Sequence, residues 1–164
     1  MQSRVEDLEQ EQRHPDINEG MEDLTLQEED PIIDTLRRVF KFQDFKDGQR
    51  EIIDNVMSSQ DGVVLLPTGG GKTLCFTLPA IISPGLTIVV FPTLSLIQDM
   101  HERLVSVCPC AALTGECENV DKKRIIMDIT NSRVKLLLTT PEQLQDQHFQ
   151  ACLDKTVISR LVID

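Results

Sequence analysis

With 164 residues, 40% of them hydrophobic, the chain is long enough for one domain with a real core. Its formal net charge of −11 argues against a nucleic-acid surface spread over the whole molecule, because phosphate binding needs Lys and Arg on one face. The charge is uneven, however: residues 1–30 hold 11 Asp and Glu against 2 Arg, a local net of −9 that leaves residues 31–164 near neutral at −2.

Taken in chain order, residues 1–30 are rich in Glu, Gln and Asp and poor in large apolar side chains. Such a segment buries too little surface to offset its ordering entropy, so a disordered acidic tail is expected, with a short helix over Val5 to Arg13 as the alternative. From Pro31 the pattern changes. Ile32, Ile33, Leu36, Val39 and Phe40 recur at helical spacing, and residues 31–164 are expected to form the folded domain.

A helix from Asp47 to Ser58 is expected next, then a strand over Val63-Val64-Leu65-Leu66, a glycine-rich turn and a helix through Leu74 to Ile81. A strand over Leu86 to Phe91, a helix from Ser95 to Val107, a weak strand at Ala111 to Leu113 and a helix from Val120 to Ile129 follow. The strand Val134 to Thr139, a short helix after Pro141 and a closing strand from Val157 to Asp164 complete the pattern. Strands apolar on both faces and separated by helices predict a doubly wound α/β fold of three layers, a parallel sheet covered on both sides. Ligands in such folds sit at the carboxyl ends of the strands.

The uncharged run Thr73 to Gln98 is interrupted by Pro79, Pro84-Gly85 and Pro92, so it reads as helix, strand and helix, and no membrane span is expected. Five cysteines without a regular framework, and no basic-then-apolar leader, point to a reducing intracellular compartment. The spacing of Cys108, Cys110 and Cys117 matches no familiar zinc pattern, and plain thiols are expected there. The Asp121-Lys122-Lys123-Arg124 run reads as a solvated helix face, and His14, His101 and His148 show no acid/base partner at legible spacing.

Chemistry concentrates in Leu66-Pro67-Thr68-Gly69-Gly70-Gly71-Lys72-Thr73, placed between an expected strand and an expected helix. Consecutive glycines let the backbone turn through positive φ and present its amides to an anion, while the helix start adds the positive end of its dipole. This predicts a phosphate cradle. Lys72 would meet the β and γ phosphates of ATP, and the Thr73 hydroxyl would ligate Mg2+. Leu66 stands where the P-loop pattern has its first glycine. The final Arg160-Leu161-Val162-Ile163-Asp164 brings a carboxylate to the end of an apolar run, where P-loop enzymes hold their magnesium.

Four segments in this order resemble the first RecA-like lobe of superfamily 2 helicases, and specifically the RecQ family, over Asp34 to Asp164. Phe40 to Gln49 is similar to the family's adenine-side segment, which implies that Phe42 stacks on the base, Gln49 hydrogen-bonds its edge and Lys46 stands where an Arg is usual. Pro67 to Phe76 resembles the family's P-loop, implying nucleotide contacts from Thr68, Gly69, Gly70, Gly71, Lys72 and Thr73. Phe91 to Asp99 and Thr139 to Glu142 resemble motifs beside single-stranded DNA, with Ser95 and Thr140 the implied contacts; Ser95 reads equally as a helix cap. Val162-Ile163-Asp164 resembles the opening of the D-E-A-H box, implying that Asp164 and Thr73 hold magnesium while Lys72 and Asp164 carry the chemistry.

The resemblance implies the ATP-binding lobe of a 3′ to 5′ DNA helicase serving repair and recombination, nuclear in a eukaryote, that works with a second RecA-like lobe. With no Trp and no Tyr to stack on bases, weak affinity for single-stranded DNA is expected. An RNA helicase of the D-E-A-D type is the second enzyme reading, although Leu94-Ser95-Leu96 stands where that type has Arg-Glu-Leu. A non-catalytic nucleotide-binding or interaction module is the third.

Overall fold

In the computed structural model, which describes residues 30–164, four parallel strands form one sheet in the order β2-β3-β1-β4. They are β1 (Leu86–Val90), β2 (Cys110–Leu113), β3 (Leu136–Thr139) and β4 (Ile158–Ile163). Six helices connect and cover them: α1 (Pro31–Arg38), α2 (Gln49–Met57), α3 (Lys72–Ile82), α4 (Leu94–Leu104), α5 (Asn119–Thr130) and α6 (Gln147–Leu153). The readings made for residues 1–29, an acidic tail or a short helix, lie outside the described residues.

Both faces of the sheet are covered over β1 and β3, while Leu161 and Ile163 of the edge strand β4 are 58% and 80% exposed. Alternate residues of a strand point to opposite faces, and so Val89, Leu136 and Leu138 pack with Phe76 and Ala80 of α3 and Ile97 and Leu104 of α4. Leu86, Ile88, Val90 and Leu137 pack the other way, with Ile129 of α5 and Phe149 and Cys152 of α6. A third cluster joins α1, α2 and α3 through Ile32, Leu36, Ile53, Leu74 and Leu78. The three-layer doubly wound architecture follows directly from strands that are apolar on both sides. Among the described residues, no helix is long and apolar enough to cross a membrane.

One expected strand is absent. Val63-Val64-Leu65-Leu66 has the residue types of a strand but pairs with nothing, and Val63 and Leu65 are 89% and 90% exposed. A strand exists by exchanging backbone hydrogen bonds with a neighbour. Apolar composition alone does not supply that neighbour, and the sheet's three ladders form without this segment. The helix expected after Pro141 resolves into a 3-10 turn at Gln143–Gln145 and a separate α6, whose amino end is capped by Asp146 accepting from the Phe149 amide at 2.9 Å.

At the start of α1, Asp30 uses both carboxylate oxygens, one accepting from the Ile32 amide at 2.9 Å and the other pairing with Arg50 of α2 at 2.7 Å. Partial desolvation acts upward on its pKa, but the Ile32 amide and the Arg50 guanidinium outweigh it and hold the carboxyl below its ordinary value. A carboxylate with a lowered folded-state pKa stabilises the fold above its unfolded-state pKa, and that contribution fades as pH falls through the folded value. Asp30→Ala is expected to cost about 1 kcal/mol at neutral pH. In thermal melts the gap between the two proteins should narrow as the buffer is taken down to about pH 3.

Candidate nucleotide-binding site

The P-loop takes its shape from glycine. Gly69 and Gly71 have φ of 75° and 80°, in the left-handed region that residues with a Cβ rarely adopt. Between them, the Gly70 amide donates to Pro67 O at 2.9 Å, and a Cβ on Gly70 would sit 2.8 Å from that same oxygen. Gly71 is also the amino-terminal cap of α3, an 11-residue helix with no side chain bonded to its first amides. Those amides are therefore available to an anion, at the positive end of the helix dipole.

Around this loop the implied nucleotide residues fall into two groups. Lys72 is exposed, its Nζ 3.4 Å from Leu66 O, and Thr73 is half-buried one residue into the helix. Thr68 is exposed at the loop's outer turn. On the other side lie Lys46 and Gln49, brought to the P-loop by the turn before α2: Lys46 Nζ donates to Gly69 O at 2.9 Å, and Gln49 Nε2 donates to Gly70 O and Gly71 O at 3.2 Å each. Gln49 is only 3% exposed, so these bonds are shielded from water. Phe42 is 53% exposed, its ring stacked against Phe40 at a centroid distance of 6.5 Å.

Asp164 sits at the carboxyl end of β4, exposed, with its amide donating to Val90 O at 3.1 Å. Its carboxylate pairs with neither Lys72 nor Arg160 among the described residues. A residue that the sequence reading passed over links this strand to the P-loop helix. Arg160 of β4 donates to Ser83 Oγ at 2.7 Å and to Pro79 O at 3.2 Å, at the carboxyl end of α3, where a cation suits the helix dipole. Burial lowers its pKa. The signal was a lone Arg opening an otherwise apolar run.

The two implied DNA contacts differ in access. Ser95 is exposed in the first turn of α4, while the cap is Thr93, whose Oγ1 accepts from the Leu96 amide at 3.4 Å. Thr140 is only 7% exposed, with its hydroxyl oxygen taking the Gln143 amide at 3.4 Å. An open groove of about 520 Å³ runs past Pro92, Leu94 and Thr140, but it is lined by Glu116, Glu142 and Asp146 against the single cation Lys122. That balance works against phosphate.

The cysteines form no metal centre among the described residues, and all five are free. Burial pushes Cys108 up to about 11, and burial together with neighbouring Cys108 pushes Cys110 up to about 12. At pH about 7.5 both should therefore resist iodoacetamide until denaturant is added, as read by mass spectrometry of the labelled peptides. Rapid labelling of the folded protein would contradict this.

The RecQ helicase of Synechocystis is 37% identical over 112 residues, 68% of this chain and 23% of its own length. A probable ATP-dependent DNA helicase RecS of Bacillus subtilis is 36% identical over 132 residues, 79% of this chain and 26% of its own. The chain thus spans about a quarter of these curated relatives. Among solved structures, the DUF1998 helicase MrfA bound to DNA and AMPPNP superposes with a TM-score of 0.68 at 19% identity, over 82% of this chain and 20% of that one, a likeness of fold. Since the profile of the DEAD/DEAH box helicases matches residues 46–164, from Lys46 beside the P-loop to the closing aspartate, the chain belongs to that family, and its relatives are RecQ-type enzymes.

Proposed function

We propose that this chain is the ATP-binding lobe of a RecQ-type DNA helicase, which couples ATP hydrolysis to 3′ to 5′ unwinding in repair and recombination, in the nucleus where the cell is eukaryotic. The observation that carries this reading is the glycine loop at the amino end of α3, with its amides uncapped and Lys72 exposed beside them. The residues fit MgATP. Gly69 to Gly71 and the first turn of α3 would hold the phosphates, Lys72 would neutralise their charge, and Thr73 and Asp164 would hold magnesium, which supplies charge neutralisation to the transferred phosphoryl group. Phe42, which is 53% exposed, is assigned to stacking on the base, and Lys46 and Gln49, bonded to the P-loop carbonyls, to the same nucleotide.

Hydrolysis in such motors also calls on a Glu after the aspartate and on arginines of a second lobe, neither of which is among these 164 residues. The chain by itself should bind nucleotide without turning it over. Ser95 and Thr140 are assigned to single-stranded DNA, but the acidic lining around Thr140 keeps that contact weak. Fluorescence anisotropy with a labelled single strand should give affinity that falls as salt rises, lower than a basic groove would give. Tight, salt-insensitive binding, or a strong preference for the same sequence as RNA, would overturn the DNA assignment.

A further inference from the structure

Arg160 grips the P-loop helix at the end remote from the P-loop. Its Nη2 donates to Ser83 Oγ at 2.7 Å and its Nη1 to Pro79 O at 3.2 Å, so both prongs fall on the last turn of α3 and its cap. A guanidinium is a rigid planar fork, and two of its donors on two acceptors fix direction as well as distance. Lys135, just before β3, reaches the same helix end, with its Nζ on Ser83 O at 3.0 Å. No carboxylate pairs with Arg160 among the described residues, and its Nε is buried without a partner. Burying a charge without a counter-ion is costly, and an apolar side chain would cover this strand face at less cost. What the charge meets instead is the carbonyl end of a helix, where the dipole is negative.

The use of that grip follows from where β4 goes next. Register with β1 aligns Arg160 with Thr87 and Val162 with Val89, so both lie on the sheet face that α3 covers, and Asp164 follows at the next alternate position. Val162 packs against the cluster that holds Phe76 and Ala80 of α3. As β4 advances from Arg160 to Val162, its partners on α3 therefore recede from Pro79 and Ser83 to Phe76 and Ala80, and strand and helix run in opposite directions. Two strand residues rise about 6.6 Å and four helical residues about 6 Å, so the steps match. One further step brings Asp164 level with the first turn of α3. The lengths agree: Asp164 lies about 13 Å of strand beyond Arg160, and Thr73 lies about 9 Å of helix before Pro79 and about 15 Å before Ser83.

We infer that Arg160 is a positioning residue for the magnesium site: its two-pronged hold on the carboxyl end of α3 sets the register of β4 along that helix, and with it the level of Asp164 against Thr73. The inference rests on the reading of the P-loop as a nucleotide site and of Thr73 and Asp164 as its magnesium ligands.

The test is equilibrium binding of ATP to the full chain with magnesium and with EDTA, the ratio of the two affinities measuring the metal site. Arg160→Met should lower that ratio about tenfold and leave the metal-free affinity within roughly twofold of the parent's. Arg160→Lys keeps a donor for the helix end and should recover most of the ratio. Lys135→Met loosens the same helix end without touching β4, and it should lower the melting temperature but not the ratio. In an Asp164→Asn chain, Arg160→Met should cost MgATP no further affinity, because Arg160 acts through Asp164. Should a melting curve show that Arg160→Met does not fold, Ser83→Ala removes one acceptor from the other side and should lower the ratio in the same direction. Equal loss with and without magnesium, a matching loss of the ratio in Lys135→Met, or an additive loss in the Asp164→Asn chain would each make Arg160 a structural tether only, and would overturn the inference with the P-loop reading intact. A parent chain whose ATP binding magnesium does not improve would overturn the inference together with the metal assignment, and one that binds no ATP would overturn the P-loop reading itself.

Discussion

Lys72→Ala is expected to weaken MgATP binding by about 10-fold to 100-fold while leaving the melting temperature nearly unchanged. The two halves of that expectation have separate causes. Lys72 is exposed and its one side-chain hydrogen bond among the described residues is a 3.4 Å approach to Leu66 O, so the fold loses almost nothing with the side chain. Toward a triphosphate, the same ammonium supplies a charge-assisted hydrogen bond worth about 1.5–3 kcal/mol, which is the affinity range stated. Calorimetric titration beside a melting curve checks both halves. Near-parental affinity would mean that phosphate does not lie at Lys72.

Phe149→Ala is expected to act on the fold instead, at about 3–5 kcal/mol. Its ring is fully buried, and α6 carries it onto the sheet face formed by Leu86, Ile88, Val90 and Leu137. Nothing nearby can collapse into the space, because strands β1 and β3 are fixed by their ladder and α5 is held there by Ile129. A loss of that size is a large part of the 5–15 kcal/mol that keeps an ordinary domain folded. Urea unfolding followed by circular dichroism measures it, and a change below about 1 kcal/mol would mean that α6 is not packed as described.

The helix that carries Phe149 shows what could be read from the chain and what could not. The strands β1, β3 and β4 were legible because they are short apolar runs bounded by Pro, Gly and charge. Only "a short helix after Pro141" was expected where the chain makes a 3-10 turn and then α6, even though Asp146 marks the cap. With seven residues and two buried positions, α6 presents too few turns for its period to stand out. Val63 to Leu66 failed in the opposite direction: its residues favour a strand, but a strand needs a partner edge, and a local pattern cannot report one.

The site divides in the same manner. Its glycines, lysine and threonine lie within eight consecutive residues from Leu66 to Thr73, and what they do follows from backbone φ and helix position. Lys46 and Gln49 stand 20 and 17 residues before Leu66, and their bonds to the loop carbonyls depend on how α2 docks on α3. Resemblance placed both residues near the nucleotide, but their engagement with the loop appears only once the fold is known. Thr140 behaves similarly, since a hydroxyl at a strand end looks available until the turn that follows brings the Gln143 amide onto it.

The measurement that bears most directly on this account is a calorimetric titration of MgATP into the chain, with phosphate release followed in the same sample. One saturable site per chain and no phosphate release is the expected result: a nucleotide lobe without the groups that complete hydrolysis. A chain that melts cooperatively and yet shows no saturable site would contradict the assignment of the Gly69 to Gly71 loop to phosphate.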